Sequence, residues 1–264
     1  MDVSNAFLHG DLEEEVYMTL PQGYTGSGCI ISPQSWTAGG VISPPTAGQP
    51  VCKLVKSLYG LKQAPRQWFT KLSTALLDFG FVQSKADYSL FTKHQHDTFV
   101  AVLVYVDDMI IAGSNHFLVT QIQQYLHSQF HMKDLGTLRY FLGLEIAHSD
   151  LGIYISQRKY TLDLLREMNM LNAKPLQLPM SSHLKLSHYT GKKLQDPEVY
   201  RRLIGKLIYL TITRPDISFA VQVLSQFMHE PTEEHLAAAK HVLRYLKSSP
   251  GQGILLSSKS APVL

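Results

Sequence analysis

FVAVLVYVDDMIIAG, residues 99–113, runs through eight apolar residues from Phe99 to Val106, meets Asp107-Asp108, and turns apolar again from Met109 to Ala112. Two apolar runs broken by a short polar step predict two buried strands joined by a tight turn, with both carboxylates at its tip. Ionised carboxylates beside so much apolar surface repel each other and are costly to desolvate unless a cation compensates. No Lys or Arg lies between Lys93 and Lys133. The compensation must therefore come from elsewhere in the fold or from a metal, and a hard divalent cation with oxygen ligands suits the site. An ordinary hairpin with an acidic turn is the alternative, although Asp-Asp-Met is a weak turn signal beside Asn-Gly or Asp-Gly.

The rest of the composition is that of a globular chain. Of 264 residues, 45% are hydrophobic and 17% charged, enough for one large domain or two modest ones. The net charge is only +3, so its distribution says more than its total. Val51–Lys71 carries Lys53, Lys56, Lys62, Arg66 and Lys71 without an acid, and Asp11–Glu15 is an acid cluster. The two cysteines, Cys29 and Cys52, support neither a zinc site nor a disulfide framework, which suits a reducing compartment. The opening Met-Asp-Val is not a signal peptide, there is no other targeting signal, and no apolar run is long enough to span a bilayer. The expectation is a soluble intracellular chain with no membrane partner.

Met1–Leu8 reads as a strand running into a turn, with Asp2 at its start, and residues 25–50, rich in Gly, Ser and Pro, read as a flexible loop or insert. In Val51–Gly80, Pro65 opens a helix with Trp68, Leu72, Leu76 and Phe79 on one apolar face and Gly80 at its end. A short strand near Tyr88–Phe91, a polar turn over Lys93–Thr98 and the Asp-Asp hairpin follow. A helix over 115–129 then has Leu118, Ile122 and Leu126 inward, and Leu138–Ala147 returns as a strand. Strand, helix, two strands, helix, strand is the ferredoxin-like βαββαβ order of an α+β fold, and it sets Asp2 beside the hairpin tip. Beyond residue 150 helices dominate: 157–169 with Ser156 as a cap, 198–211, 215–229, and 233–247 capped by Thr232.

YVDD at 105–108 resembles the signature tetrapeptide of reverse transcriptases. MDVSNAFLHGDL from Met1, VYMTLPQGY from Val16, KSLYGLKQAPRQW from Lys56, KDLGTLRYFLGLEI from Lys133, SQRKYTLDLL from Ser156 and TRPDISFAV from Thr213 follow one another as in the copia-type enzymes of LTR retrotransposons. The resemblance covers Asp2 to about Leu256. It implies a right-handed polymerase palm with its first catalytic Asp in residues 1–24, an insert over 25–50, the palm core with YVDD and a primer-grip-like strand over 51–150, a helical thumb and connection over 151–250, and a tail over 251–264. Fingers and ribonuclease H parts are expected to be missing. Leu20–Gly23, LPQG, mimics a retroviral nucleotide motif but precedes the insert, so no nucleotide contact is assigned to it.

The implied chemistry is RNA-directed DNA polymerisation, with dNTPs joined to a primer 3′-hydroxyl on an RNA or DNA template. Two ions of Mg²⁺, with Mn²⁺ as the alternative, would lie roughly 3.5–4 Å apart. Asp2 and Asp107 are the main metal ligands and Asp108 the third, because adjacent strand residues face opposite ways. Phe7 falls where the resemblance puts the aromatic that rejects a ribose 2′-hydroxyl, and equally reads as a core phenylalanine. Tyr59 and Gly60 fall at the nucleotide and template, and Lys133 near the pyrophosphate, where a plain surface lysine is the other reading. Lys62 and Arg66 are template contacts or solvated helix-start charges, and Phe141, Leu142 and Gly143 a primer grip or core. His127 and His131 at helical spacing lack a third zinc ligand. The remaining Gag-Pol polyprotein, integrase and ribonuclease H included, would be the protein partner, and a cytoplasmic virus-like particle the location. The rival from another class is a catalytically silent remnant that at most binds nucleic acid.

Overall fold

A computed structural model of the chain describes residues 1–20, 30–31, 50–95, 97–181, 183–187 and 191–259. It forms two compact units, Met1–Thr137 and Leu138–Leu264.

The first unit begins with β1 (Asp2–Val3), a 3₁₀ turn over Ala6–His9, β2 (Asp11–Thr19), β3 (Ile30–Ile31) and β4 (Pro50–Lys56). Helix α1 (Ala64–Asp78), β5 (Val82–Gln83), β6 (Leu90–Gln95), β7 (Thr98–Tyr105), β8 (Asp108–Gly113), α2 (His116–Gln129) and β9 (Met132–Lys133) follow. Six strands make one antiparallel sheet in the order β5-β6-β7-β8-β1-β9. Four of them at one end, β7-β8-β1-β9, have the order of a split βαββαβ unit with α1 and α2 as the two helices.

The helices cover one face of that sheet. Val100, Val102 and Val104 of β7, Met109 of β8 and Val3 of β1 pack with Trp68, Leu72 and Leu76 of α1 and Ile122 and Leu126 of α2. The alternate residues of β7 point away, and Phe99 and Tyr105 are exposed. The apolar run was expected to give two buried strands, but only one face is buried, as an antiparallel sheet permits. Asn115 caps α2 by accepting from the amides of Phe117 and Leu118, and Leu118, Ile122 and Leu126 face the core as expected.

The closing strand of the βαββαβ unit is Met132–Lys133, not Leu138–Ala147. β6 runs on to Gln95 through half of the expected polar turn. β2 and β4 pair antiparallel with β3 on the outer side of β4, so Ile30–Ile31 and Pro50, read as loop, are strand. The remainder of the expected insert lies outside the described residues.

In the second unit a four-stranded antiparallel sheet runs β10 (Tyr140–Phe141), β11 (Leu144–Ser149), β12 (Gly152–Ser156), β13 (Gly253–Ser257). Its helices are α3 (Arg158–Glu167), α4 (Pro197–Leu210), α5 (Ser218–Ser225, entered through a 3₁₀ turn at Pro215–Ile217) and α6 (Glu233–Ser248). Leu164, Leu203, Leu207, Val221, Leu224, Leu243 and Leu246 lie in their common core. The four expected helices are present, although Gln157 rather than Ser156 stands at the N-cap of α3 and makes no side-chain cap bond.

The sheet of this unit is the larger departure. Leu138–Ala147 is broken at Leu142-Gly143, both at positive φ (49° and 81°), so it doubles back as a hairpin. The expected boundary at 150 falls in the turn between β11 and β12, whose five registered pairs make one ladder. Residues 253–257, expected as tail, are the strand beside β12.

Candidate active site

The register of the six-stranded sheet lines up four side chains. Tyr105 pairs with Asp108 across the hairpin, Asp108 with Asp2 on β1, and Asp2 with Lys133 on β9. Directly opposed residues share a face. Val3, Met109 and Met132, the next residues along, belong to the core, so the row Tyr105-Asp108-Asp2-Lys133 lies on the face that the helices leave open.

Asp107 sits in the two-residue turn with Val106. The turn is tied to β1 through the Val3 amide, which donates to the Asp107 carbonyl at 2.8 Å. Val106 has φ 55°, in the left-handed region that a β-branched residue rarely enters. Its carbonyl accepts from Nε1 of Trp68 at 2.7 Å. The carboxylates were expected together at the tip. Asp107 is in the turn, whereas Asp108 is the first residue of β8 and faces Asp2 across the strand pair.

Burial pushes the Asp108 carboxyl above its ordinary range, and the negative charges of Asp107 and then Asp2 push it further the same way. Among the described residues none of the three carboxylates takes part in a side-chain hydrogen bond or ion pair, and Lys133 forms no ion pair. Hard, unshared and mutually repelling oxygen donors are the chemistry that suits a divalent cation such as Mg²⁺. As placed they stand open: among the described residues no three His, Cys, Asp or Glu side chains gather to enclose a metal, and His127 and His131 gain no third ligand.

Phe7 and Tyr59, far apart in sequence, come together with ring centroids 4.7 Å apart. Phe7 lies on the 3₁₀ turn and packs partly on the core, while Tyr59 is exposed and Gly60 beside it has φ 95° with open space around its Cα. Lys62 and Arg66 are exposed before and within the first turn of α1. The basic stretch is not the acid-free patch that its composition suggests. Lys53 bonds Glu15, Lys56 bonds Asp11, and Lys71 bonds Asp11 at 2.6 Å, because β4 and α1 pack beside β2. Among the described residues Lys62 and Arg66 alone of the five form no ion pair. Phe141, Leu142 and Gly143 lie in the second unit, at the β10–β11 hairpin, whose Leu142 carbonyl accepts from the hydroxyl of Tyr209 on α4.

A family model described as "Reverse transcriptase (RNA-dependent DNA polymerase)" matches residues 40–182, more than half of the chain and the whole YVDD hairpin. The chain belongs to the reverse transcriptase family. This reverse transcriptase segment is 47% identical over 97% of its length to the Retrovirus-related Pol polyprotein from transposon RE1 of Arabidopsis thaliana, covering 16% of that protein. Its identity to the polyprotein from transposon TNT 1-94 of Nicotiana tabacum is 37%, over 100% of the chain and 19% of the relative. It is also 32% identical to the Putative transposon Ty5-1 protein YCL074W of Saccharomyces cerevisiae, covering 75% of that protein. The segment thus spans under a fifth of the two polyproteins. No solved structure matches it.

Two residues that serve this geometry were not singled out in sequence as site residues: Trp68, read only as helix core, and Tyr209, which holds the Leu142-Gly143 turn. The signal for Trp68 was available, since a buried indole N–H has to find an acceptor.

Proposed function

We propose that this chain carries the catalytic palm and the helical thumb or connection of an RNA-directed DNA polymerase of a copia-type retrotransposon. One observation carries the reading: Asp2 and Asp108 are in register on adjacent strands, with Asp107 in the turn beside them, on the sheet face open to a ligand. Asp2, Asp107 and Asp108 would hold the divalent ions, Mg²⁺ by preference. When bound, such ions supply the charge neutralisation that phosphoryl transfer asks for, at the primer 3′-hydroxyl and at the departing pyrophosphate.

The chain's own residues position the rest. The primer 3′-hydroxyl gives up its proton to water as its oxygen bonds to the α-phosphorus of a dNTP and the bond to pyrophosphate breaks, and Lys133, in the same row as Asp2, would offer a proton or a positive charge to that leaving group. The Phe7–Tyr59 pair would bound the sugar, Gly60 would let the backbone approach the nucleotide, and Lys62 and Arg66 would meet template phosphates. Phe141, Leu142 and Gly143 would hold the primer end. The relatives named as Pol polyproteins support a nucleic acid template and the remaining polyprotein as partners, and we propose a cytoplasmic particle as the place where they meet.

The test is primer extension on poly(rA)/oligo(dT) with Mg²⁺, comparing the chain with Asp107→Asn. Extension by the parent alone is the expected result. Equal extension by both removes Asp107 from the site. Silence from both, with salt-sensitive template binding retained, replaces the reading with a remnant that holds nucleic acid without copying it.

A further inference from the structure

We propose that Trp68 is a positioning residue for the carboxylate turn, its indole N–H holding Val106 in the left-handed conformation that presents Asp107. The inference rests on the reading of Asp107 as a metal-holding acid. Its geometry comes from residues outside the row of carboxylates.

Trp68 is 2% exposed, and the Val106 carbonyl satisfies its one polar atom at 2.7 Å. Val106 is 44% exposed, so little packing of its own holds its side chain. A valine at φ 55° relaxes toward the β region unless its surroundings fix it. The Trp68 bond acts on the peptide group that joins Val106 to Asp107. Relaxation there rotates that peptide and moves the carbonyl of Asp107 away from the Val3 amide it now accepts from.

The indole is itself clamped. Phe130 meets it edge-on with centroids 5.2 Å apart, and His9 lies 5.8 Å away. Gly10 explains the close approach: a Cβ there would stand 3.1 Å from the Trp68 amide nitrogen and 3.0 Å from Cβ of Gln67. The His9-Gly10 step of MDVSNAFLHGDL therefore packs the 3₁₀ turn against α1 and, through Trp68, steadies the Val106-Asp107 turn.

The experiment compares the full chain with Trp68→Phe, which keeps an aromatic ring in the core and removes the donor along with part of the indole's volume. Amide hydrogen exchange at Val3 reads the turn without any metal, and Mn²⁺ binding, followed by water-proton relaxation, reads the site. Val3 exchange is expected to accelerate about tenfold more than exchange at the α2 amides, which report any general loosening of the core around the smaller ring. Mn²⁺ affinity is expected to fall roughly 10-fold, toward the loss seen in Asp107→Asn, as for removal of an outer-shell partner. Unchanged Val3 exchange overturns the proposal, as does faster exchange with Mn²⁺ affinity intact. If the parent and Asp107→Asn bind Mn²⁺ equally, the metal reading fails, and the Val3 result still decides whether Trp68 fixes the turn.

Discussion

Asp2 and Asp108 stand directly opposite each other on neighbouring antiparallel strands, two carboxylates facing one another where a sheet ordinarily sets complementary side chains. Like charges in that position oppose folding, and the mutual repulsion reaches Asp107 as well. Asp108→Asn should therefore stabilise the fold at neutral pH and raise its unfolding midpoint, the gain being no more than about 1 kcal/mol because the pair is partly solvated. Added Mg²⁺ should stabilise the parent and narrow that gap. Primer extension should be lost in the same variant. Thermal melts with Mg²⁺ and with EDTA, run beside an extension assay, check all three. A variant less stable than its parent in EDTA would remove the repulsion argument.

Gly143 and Tyr209 form a second linked pair. Gly143 has φ 81°, and a Cβ there would lie 2.6 Å from the Tyr209 hydroxyl. Gly143→Ala should cost about 1–3 kcal/mol from backbone strain, with the clash in addition. Tyr209→Phe should cost about 0.5–1.5 kcal/mol for the bond to the Leu142 carbonyl. The two costs should not add, since Phe leaves room for the new methyl. A double-mutant cycle by urea denaturation should show the alanine to be less harmful in the Phe background. Strict additivity would mean that the hydroxyl does not set the hairpin.

Arg214 and Asp216, in the TRPD motif, form the most buried ion pair in the described part of the second unit. The guanidinium is 1% exposed, bonds both carboxylate oxygens of Asp216 at 3.0 and 2.8 Å, and donates to the Ser249 carbonyl. Burial alone would raise the Asp216 carboxyl, but the bonds from Arg214 and Tyr245 outweigh it and hold the group below its ordinary range. A carboxylate depressed in the folded state adds stability above its unfolded pKa of about 3.9, and that stability is lost as pH falls through the folded value. Asp216→Asn should cost on the order of 2–3 kcal/mol at pH 7. That is less than the roughly 3–5 of a fully buried pair, because the Asp216 side chain is 26% exposed. The difference from the parent should shrink in acid below about pH 4, which urea melts across pH can read.

The parts of this fold that were legible in sequence are those where one physical signal dominates. The Asp-Asp hairpin follows from its two apolar runs, and α1 and α2 from apolar residues at helical spacing, with a Pro near the start of α1. Asp2 beside the hairpin came from motif order and strand order together. Short or two-sided elements were not legible. Met132-Lys133 is too brief to show a period, and the all-apolar β7 hides which of its faces is covered. LRYFLGLEIA reads as one run because Leu-Gly is a poor sign of a two-residue turn, and GIYIS and GILLS are five-residue runs whose pairing partners lie far apart in sequence. The basic patch misled for a related reason: composition shows Lys53, Lys56 and Lys71, but only the pairing of β2 with β4 shows that acids neutralise them.

That neutralisation can be used as a test of where nucleic acid lies. Asp11 takes both Lys56 and Lys71, whose bonds hold its carboxyl below the usual range, yet each of the three side chains keeps a third or more of its surface in solvent. Asp11→Asn should therefore cost less than about 1 kcal/mol of stability. It should free two cations beside α1, so affinity for a template-primer duplex should rise, most at low salt, and the slope of log K against log salt should steepen. Lys62→Ala and Arg66→Ala should act in the opposite sense, each lowering affinity for all sequences alike and reducing that slope by about 1. Fluorescence anisotropy across a salt series reads every arm. If Asp11→Asn tightens binding while the Lys62 and Arg66 variants leave it untouched, the backbone runs along β2 and β4 rather than over the start of α1, and the template contact moves to Lys56 and Lys71.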